Sequence, residues 1–464
     1  MRRLLHVREY DAEQKNGRPL PPLETFYKTG LTIAGPATAE GVLASLVGSI
    51  DTMMVGSLGA SAIAAVGLTN QPRMILLILI QSLCIGATAV IARRKGQENQ
   101  DGIDRCFRQT LMLSVLIGAV ITLVGNLFCE PIMRIAGANA DTLAMSCDYF
   151  RIVNGGMLFN CVTLAVCASL RGIGLTKVTM TTNITANLVN LVLNYLLIGG
   201  NLGFPALGVR GAAIATVIGN GAGCAIALVA VLRKNSPMPL HLWQKWRFDR
   251  ETLHSLTGIS LSSMGENVFL RLGFLINSRI VAELGTLAFA AYQIVTNVTT
   301  LSFTLGDGLS VAGATLVGQS LGRERPDEAL IYCKTLRRLS VFLSAALMVV
   351  TIALRFQIAG LFTDDPQVLS YVVLSFWVAV TGLIPQNGRV VYSGCLRGAG
   401  DVGFVARMAL LSVTIIRPAL SYLFCFPMGM QVAGAWLAFV VDAFIRDFAF
   451  TLRLRGGNWA HIKL

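Results

Sequence analysis

Charge is scarce in this chain. Only 14% of its 464 residues are Asp, Glu, Lys or Arg, against about 25% in a soluble domain. The long polar stretches that would surface a soluble domain are missing. Histidine is scarcer still. His6, His241, His254 and His461 all fall in the tails or the middle loop, which excludes a histidine proton relay inside the apolar segments and a clustered metal site. The ten cysteines show no CxxC spacing and most sit in apolar segments, where a free thiol behaves as a small hydrophobe. There is no Ser/His/Asp arrangement, no zinc-like ligand set and no phosphate loop. The run NLGFPALGVRG at 201–211 lacks the strand–helix context of a nucleotide fingerprint. The chain is therefore not expected to be an enzyme or to carry a cofactor. Arg2-Arg3 is not followed by an apolar core and a small-residue cleavage site, so no signal peptide is expected.

Apolar residues are what the chain has in excess. They make up 54% of it, alongside 46 glycines, a composition that suits close helix packing in lipid. A membrane span needs about 20 mostly apolar residues. Twelve such segments are predicted, at 30–56, 61–92, 107–129, 143–170, 177–199, 211–232, 256–282, 288–319, 334–355, 367–396, 402–424 and 432–453. The expected class is an all-α integral membrane protein. The net charge of +13 takes its meaning from its placement. With a cytoplasmic N-terminus, most Lys and Arg fall in tails and cytoplasmic loops. The outer loops hold four, Arg134, Arg151, Arg210 and Arg355. This positive-inside asymmetry puts both termini in the cytoplasm. Basic residues scattered over short loops, without an aromatic-rich soluble domain, argue against nucleic acid as a partner. The lipid bilayer is the expected partner.

The chain also repeats itself at a distance of 226 residues. Leu170-Arg171-Gly172-Ile173-Gly174 returns as Leu396-Arg397-Gly398-Ala399-Gly400, Leu58-Gly59 as Leu284-Gly285, Glu40 as Glu266 and Gly96 as Gly322. Each copy holds six spans, an even number, so the second enters the membrane in the same orientation as the first. That is a parallel repeat, and two packed halves that can rock about a site between them point to a transporter. The glycines of the Arg-Gly-x-Gly motif allow a tight turn, with its Arg at the headgroups or on helix-end carbonyls. The expected division is a cytoplasmic tail 1–29, a first lobe 30–232, a cytoplasmic linker 233–255, a second lobe 256–453 and a cytoplasmic tail 454–464. Within the linker, Trp243, Trp246 and Phe248 stand among Lys245, Arg247 and Arg250. That mix suits either a stretch lying at the membrane interface or a plain connection.

Charges inside spans are costly, so each is a functional candidate. The acids are Glu40, Asp51, Glu266, Asp307, Asp442 and Asp447; the bases are Arg73, Arg271, Arg279, Arg389, Arg417 and Arg446. Asp51, deep in the first span, is the strongest. A carboxylate in a partly dry cavity can alternate between protonated and charged forms, and the charged form attracts a cation. In the fifth span Asn183, Asn187, Asn190 and Asn194 recur at helical spacing and form one polar stripe. Such a stripe serves either as glue between helices or as a carboxamide wall beside Asp51. Glu266 is the leading acid of the second half. Asp442 and Arg446, four apart, read as a structural pair. Asp307, between Gly306 and Gly308, could line a cavity, as could Arg73 beside Pro72. Pro418, after Arg417, favours a kink.

These residues resemble the multidrug and toxic compound extrusion (MATE) family, in its DinF/NorM-like bacterial branch. The resemblance covers about 25–460 and rests on SIDTMMVG, both LRGxG turns, VGQSLGR at 317–323, the LNYLLI…PALGVRGAAIAT stretch at 193–216 and GAWLA at 434–438. It implies twelve transmembrane helices in two pseudo-symmetric six-helix lobes around a central cavity. It implies a monomer in the plasma (inner) membrane that exports bulky, often cationic small molecules in exchange for H⁺ or Na⁺. The family's first-lobe cation site, with H⁺ or Na⁺ as the coupling ion, falls on Asp51. Pro36 resembles the proline where the first helix bends, Asn190 the supporting Asn, and Thr216 its helix 6 partner. Asn194 stands where DinF-like members often carry Asp. Glu266 and Gln386 stand near the positions of two second-lobe acids. The alternative within the same superfamily is a flippase for lipid-linked sugars, to which the intramembrane arginines would be suited.

Overall fold

The computed structural model describes residues 20–233, 248–363 and 365–462, with the single residues 7, 10, 236 and 238. Trp243, Lys245, Trp246 and Arg247 lie outside the described residues, as does most of the tail before residue 20. The described chain is helical and contains no strand. Its elements are α1 (Leu23–Gly56), α2 (Ala60–Gly96), α3 (Gln100–Leu127), α4 (Cys129–Ile135), α5 (Ala140–Gly155), α6 (Met157–Gly172), α7 (Thr176–Gly199) and α8 (Gly208–Leu232). After the middle linker follow α9 (Arg250–Ala282), α10 (Thr286–Gly322), α11 (Pro326–Ala353), α12 (Arg355–Gly360), α13 (Pro366–Thr381) and α14 (Leu383–Ala399). The last are α15 (Val402–Met408), a π-helical stretch (Ala409–Ile416), α16 (Arg417–Cys425) and α17 (Gln431–Arg455).

Among the described residues, seven helical segments are long and apolar enough to cross a membrane alone, and two bent pairs, α5–α6 and α13–α14, raise this to nine. The other three long helices, α7, α9 and α17, carry the Asn stripe and the buried charges, which lower their hydropathy without shortening them. Together these make twelve long helical segments among the described residues.

Local sequence explains the ends and breaks. Asp249 starts α9 by accepting from the Thr252 hydroxyl at 2.6 Å and from its backbone N–H at 3.0 Å, an N-cap geometry. Those bonds, the hydroxyl's first, hold its carboxyl below the usual range. Pro418 offers no N–H to the Thr414 carbonyl, and the helix turns wide just before it, as the π-helical stretch 409–416. The irregularity expected at Pro418 thus takes the form of a change in hydrogen-bond register. α1, by contrast, runs helical through Pro36.

The chain falls into two compact units, Met1–Thr38 with Leu261–Leu464, and Ala39–Ser260. Their borders lie within α1 and α9, not in the linker at 233–255. Three clusters of buried residues lie within Ala39–Ser260. One gathers Val55, Tyr149, Val153 and Ala213, a second Ile80, Ile121, Met157 and Cys161, and a third Cys129, Met133, Cys147 and Phe150. In the other unit, Phe26, Leu316, Tyr332, Leu396 and Phe450 form one core, and Tyr292, Phe376, Trp436 and Phe439 a second. The end of the chain joins the first of these: Trp459 is buried and donates to Leu454 O at 2.8 Å.

The 226-residue repeat is a repeat of contacts. The bend between α5 and α6 is 45°, and that between α13 and α14 is 48°; they fall at Gly156 and Gly382. The two glycines of Arg-Gly-x-Gly have separate tasks. A Cβ on Gly172 would stand 3.0 Å from Thr88 O, and one on Gly398 would meet the backbone of Ala314, so the first glycine lets two helices touch. The second, Gly174 or Gly400, has φ of 91° or 90° and makes the turn. The arginine lies in the last turn of its helix and takes a carboxylate. Arg171 pairs with Glu40 at 2.5 Å, and Arg397 pairs with Glu266.

Candidate functional site

Within Ala39–Ser260, α1, α2, α5, α6, α7 and α8 line a cavity of about 400 Å³. Asp51 reaches it from the last turns of α1, and α7 supplies Asn187, Asn190 and Asn194. Asn194 Nδ2 donates to Asp51 Oδ1 at 2.8 Å. The Asn190 amide is placed by its neighbours: with its nitrogen toward the carboxylate it donates to Asp51 Oδ2 at 3.0 Å and Oδ1 at 3.2 Å, and its oxygen accepts the Thr216 N–H at 3.2 Å. The opposite orientation would set its oxygen against a carboxylate. Thr216 is anchored by donating to Ala212 O at 2.9 Å. The remaining carbonyl oxygen, Asn194 Oδ1, is buried and accepts no hydrogen bond. A carboxylate, a spare amide oxygen and a hydroxyl around one cavity are oxygen donors of the kind hard cations take. No group of three or more His, Cys, Asp or Glu that could hold a metal occurs among the described residues.

The structure thus brings Asp51, Asn190, Asn194 and Thr216 together. Pro36 does not line this cavity. The stripe on α7 divides along its length. Asn183, one turn before Asn187, donates to Glu40 Oε1 at 2.8 Å, beside Arg171 and the Thr179 hydroxyl. It serves as glue, while Asn190 and Asn194 serve the cavity. Residues beyond the stripe also line it: Asn70, Arg73, Tyr149, Asn160 and Asn220. Asn70 and Arg73, three apart on α2, share a face that spacing could have shown. Tyr149 is buried within reach of Asp51, Arg73 and Thr216, and nothing in its local sequence announces it.

The second-half candidates other than Asp307 each have a polar partner. Glu266, the leading acid there, is buried and ion-paired with Arg397, as Glu40 is with Arg171. Gln386 accepts from Arg389 Nε at 2.8 Å. Asp442 and Arg446 pair on one face of α17, and Asp442 also accepts from Ser412. Asp307 is exposed and makes no hydrogen bond or ion pair among the described residues. Arg389 lies within electrostatic reach of Arg446, Asp442, Glu266 and Asp307. Asn277, the echo of Asp51, is buried; it donates to Tyr292 Oη at 3.0 Å and accepts from Ser421 Oγ at 2.5 Å.

Comparison with known proteins meets this geometry. The MatE family model matches the chain twice, at 36–196 and 263–423. The chain is 28% identical over 443 residues to the uncharacterized transporter YisQ of Bacillus subtilis, covering 95% of this chain and 96% of that one. It is 26% identical over 450 residues to a probable multidrug resistance protein NorM of Thermotoga maritima, covering 96% of each. Its fold superposes on an outward-facing multidrug resistance MATE family transporter of the MOP superfamily with a TM-score of 0.87 at 19% identity, covering 93% of this chain and 96% of that one.

Proposed function

The chain belongs to the MatE family, and from that premise we propose that it is a secondary antiporter, exporting bulky cationic organic compounds in exchange for H⁺ or Na⁺ by alternating access between its two lobes. It is an integral membrane protein of a transporter family, and relatives along its whole length are named as multidrug resistance proteins. Those names do not favour the flippase alternative. In the proposed cycle the protein works as a monomer in the plasma membrane with both termini in the cytoplasm.

The observation that carries the coupling is the setting of Asp51: a carboxylate held by Asn190 and Asn194 at the wall of a cavity, beside the unused oxygen of Asn194. The coupling ion binds there and weakens the hold on the substrate. A cycle of this kind needs the two ligands to favour different conformers. The test is Asp51→Asn in proteoliposomes under an imposed pH or Na⁺ gradient. Export that loses its response to the gradient is the expected result; unchanged gradient-driven export sinks the proposal.

A further inference from the structure

The cavity that holds Asp51 also holds a positive charge. Arg73 lines it from α2. Its Nε is buried without a hydrogen-bond partner, and the residue makes no ion pair or hydrogen bond among the described residues. Five other arginines inside helices have partners, and Arg271 is exposed. Arg171, Arg397 and Arg446 are ion-paired, Arg389 holds Gln386, and Arg417 lies against the rings of Phe274 and Phe439. Nor does Asp51 neutralise Arg73: its carboxylate is occupied by two amides and the two charges form no salt bridge. Tyr149 lies within reach of both. A guanidinium at a cavity wall inside a membrane protein is costly to leave uncompensated, and it is the side chain best shaped to take a carboxylate through two parallel hydrogen bonds.

We propose that Arg73 receives an anionic group of the transported compound, so that the cavity selects organic zwitterions: the cationic end at Asp51, the carboxylate at Arg73. This rests on reading the cavity as the transport site and narrows its substrate class. A compound with a cation alone gains at Asp51 and is repelled at Arg73. The coupling ion competes with one end of the substrate only, while Arg73 holds the other.

The test compares two probes that differ by one charge, rhodamine B, which carries a free carboxylate, and its cationic ethyl ester. Binding to the purified full chain is followed by fluorescence anisotropy. The native chain should bind rhodamine B at least tenfold more tightly than the ester. Arg73→Gln should bring the two within about twofold by weakening rhodamine B, and Arg73→Lys should keep a preference of threefold or more. Asp51→Asn should weaken both probes and preserve their ratio. Equal binding, preference for the ester, or binding of neither probe by the native chain overturns the proposal. So does an unchanged ratio in Arg73→Gln. If Arg73→Gln is not monodisperse, the native ratio and Arg73→Lys decide. The coupling reading fails separately, on the gradient response of Asp51→Asn, which does not enter this ratio.

Discussion

Asp51 and Asn277 occupy the same register of the two copies, 226 residues apart. Asp51 faces a cavity of about 400 Å³ and is held by Asn194. Asn277 is buried and held by Ser421 on α16, the residue that matches Asn194 when the ends of the two family matches, 196 and 423, are set together. The surrounding substitutions account for the difference. Val66, at the cavity wall, becomes Tyr292, whose hydroxyl takes the Asn277 amide. Asn190 becomes Arg417. Aligning VRGAAIA at 209–215 with VAGAWLA at 432–438 turns Thr216 into Phe439, whose ring lies 5.0 Å from the Arg417 guanidinium. Arg73 becomes Thr299, which bonds its own helix at Val295 O. One copy keeps an acid among small polar groups, and the other fills the same place with aromatic rings and a cation. The two copies share the contacts that hold helices together and differ in those that line the cavity.

The sharpest way to break this comparison is to exchange its two central residues. Asp51→Asn should lower gradient-driven export at least tenfold in proteoliposomes, and adding Asn277→Asp should not restore it. The added carboxylate loses the donor that serves Tyr292 and takes the place of a fully buried side chain. It should also lower stability by about 1–3 kcal/mol, the cost of an unsatisfied buried polar group, read as a fall in melting temperature. Recovery of coupled export in the double variant would show that the copies are interchangeable and the argument wrong.

A second comparison tests the preserved contacts. Glu40→Gln and Glu266→Gln each leave an arginine without its carboxylate. Removing one partner of a buried pair costs about 3–5 kcal/mol; both pairs retain some exposure, with the Glu266 side chain at 5% and Glu40 at 13%, so about 2–3 kcal/mol is expected, more at Glu266. Melting temperatures should fall in both variants while residual export keeps its dependence on the gradient. A Glu266→Gln protein of native stability without coupled export would instead make Glu266 a working acid. Gly172→Ala and Gly398→Ala push a methyl into Thr88 and Ala314 respectively. Overpacking of that kind costs about 1–3 kcal/mol, with the larger fall in melting temperature at Gly398, where the methyl presses closer and against backbone alone.

The helices and the repeat were legible because lipid imposes length and hydropathy on every span, and because a duplicated scaffold leaves paired signatures. Glu40, Glu266 and the Arg-Gly-x-Gly turns were all visible as echoes. Their partnership was not, since Arg171 and Glu40 are 131 residues apart and no local spacing joins them. Asp51 stood out as a lone acid in an apolar span, and Asn190 and Asn194 by their period. Tyr149 lay hidden, because a tyrosine in a span reads equally as core. Arg73 was visible as a charge, but only the packing shows that it shares a cavity with Asp51 and lacks a partner.

The finest division lies within one helix. Asn183 and Asn194 are the same residue type on the same stripe of α7, and periodicity gives them the same weight. Asn183 donates to Glu40, which Arg171 still neutralises if the amide is removed. Asn183→Ala should therefore cost only about 1 kcal/mol, the net value of one hydrogen bond, and leave the ion dependence of export unchanged. Asn194→Ala removes both the donor to Asp51 and the free oxygen beside it. It should raise the ion concentration needed for half-maximal export severalfold at similar stability. Measuring melting temperature and ion dependence on both variants separates the two roles. Equal shifts in ion dependence would mean that the stripe works as a unit, and the division drawn between its ends would fall.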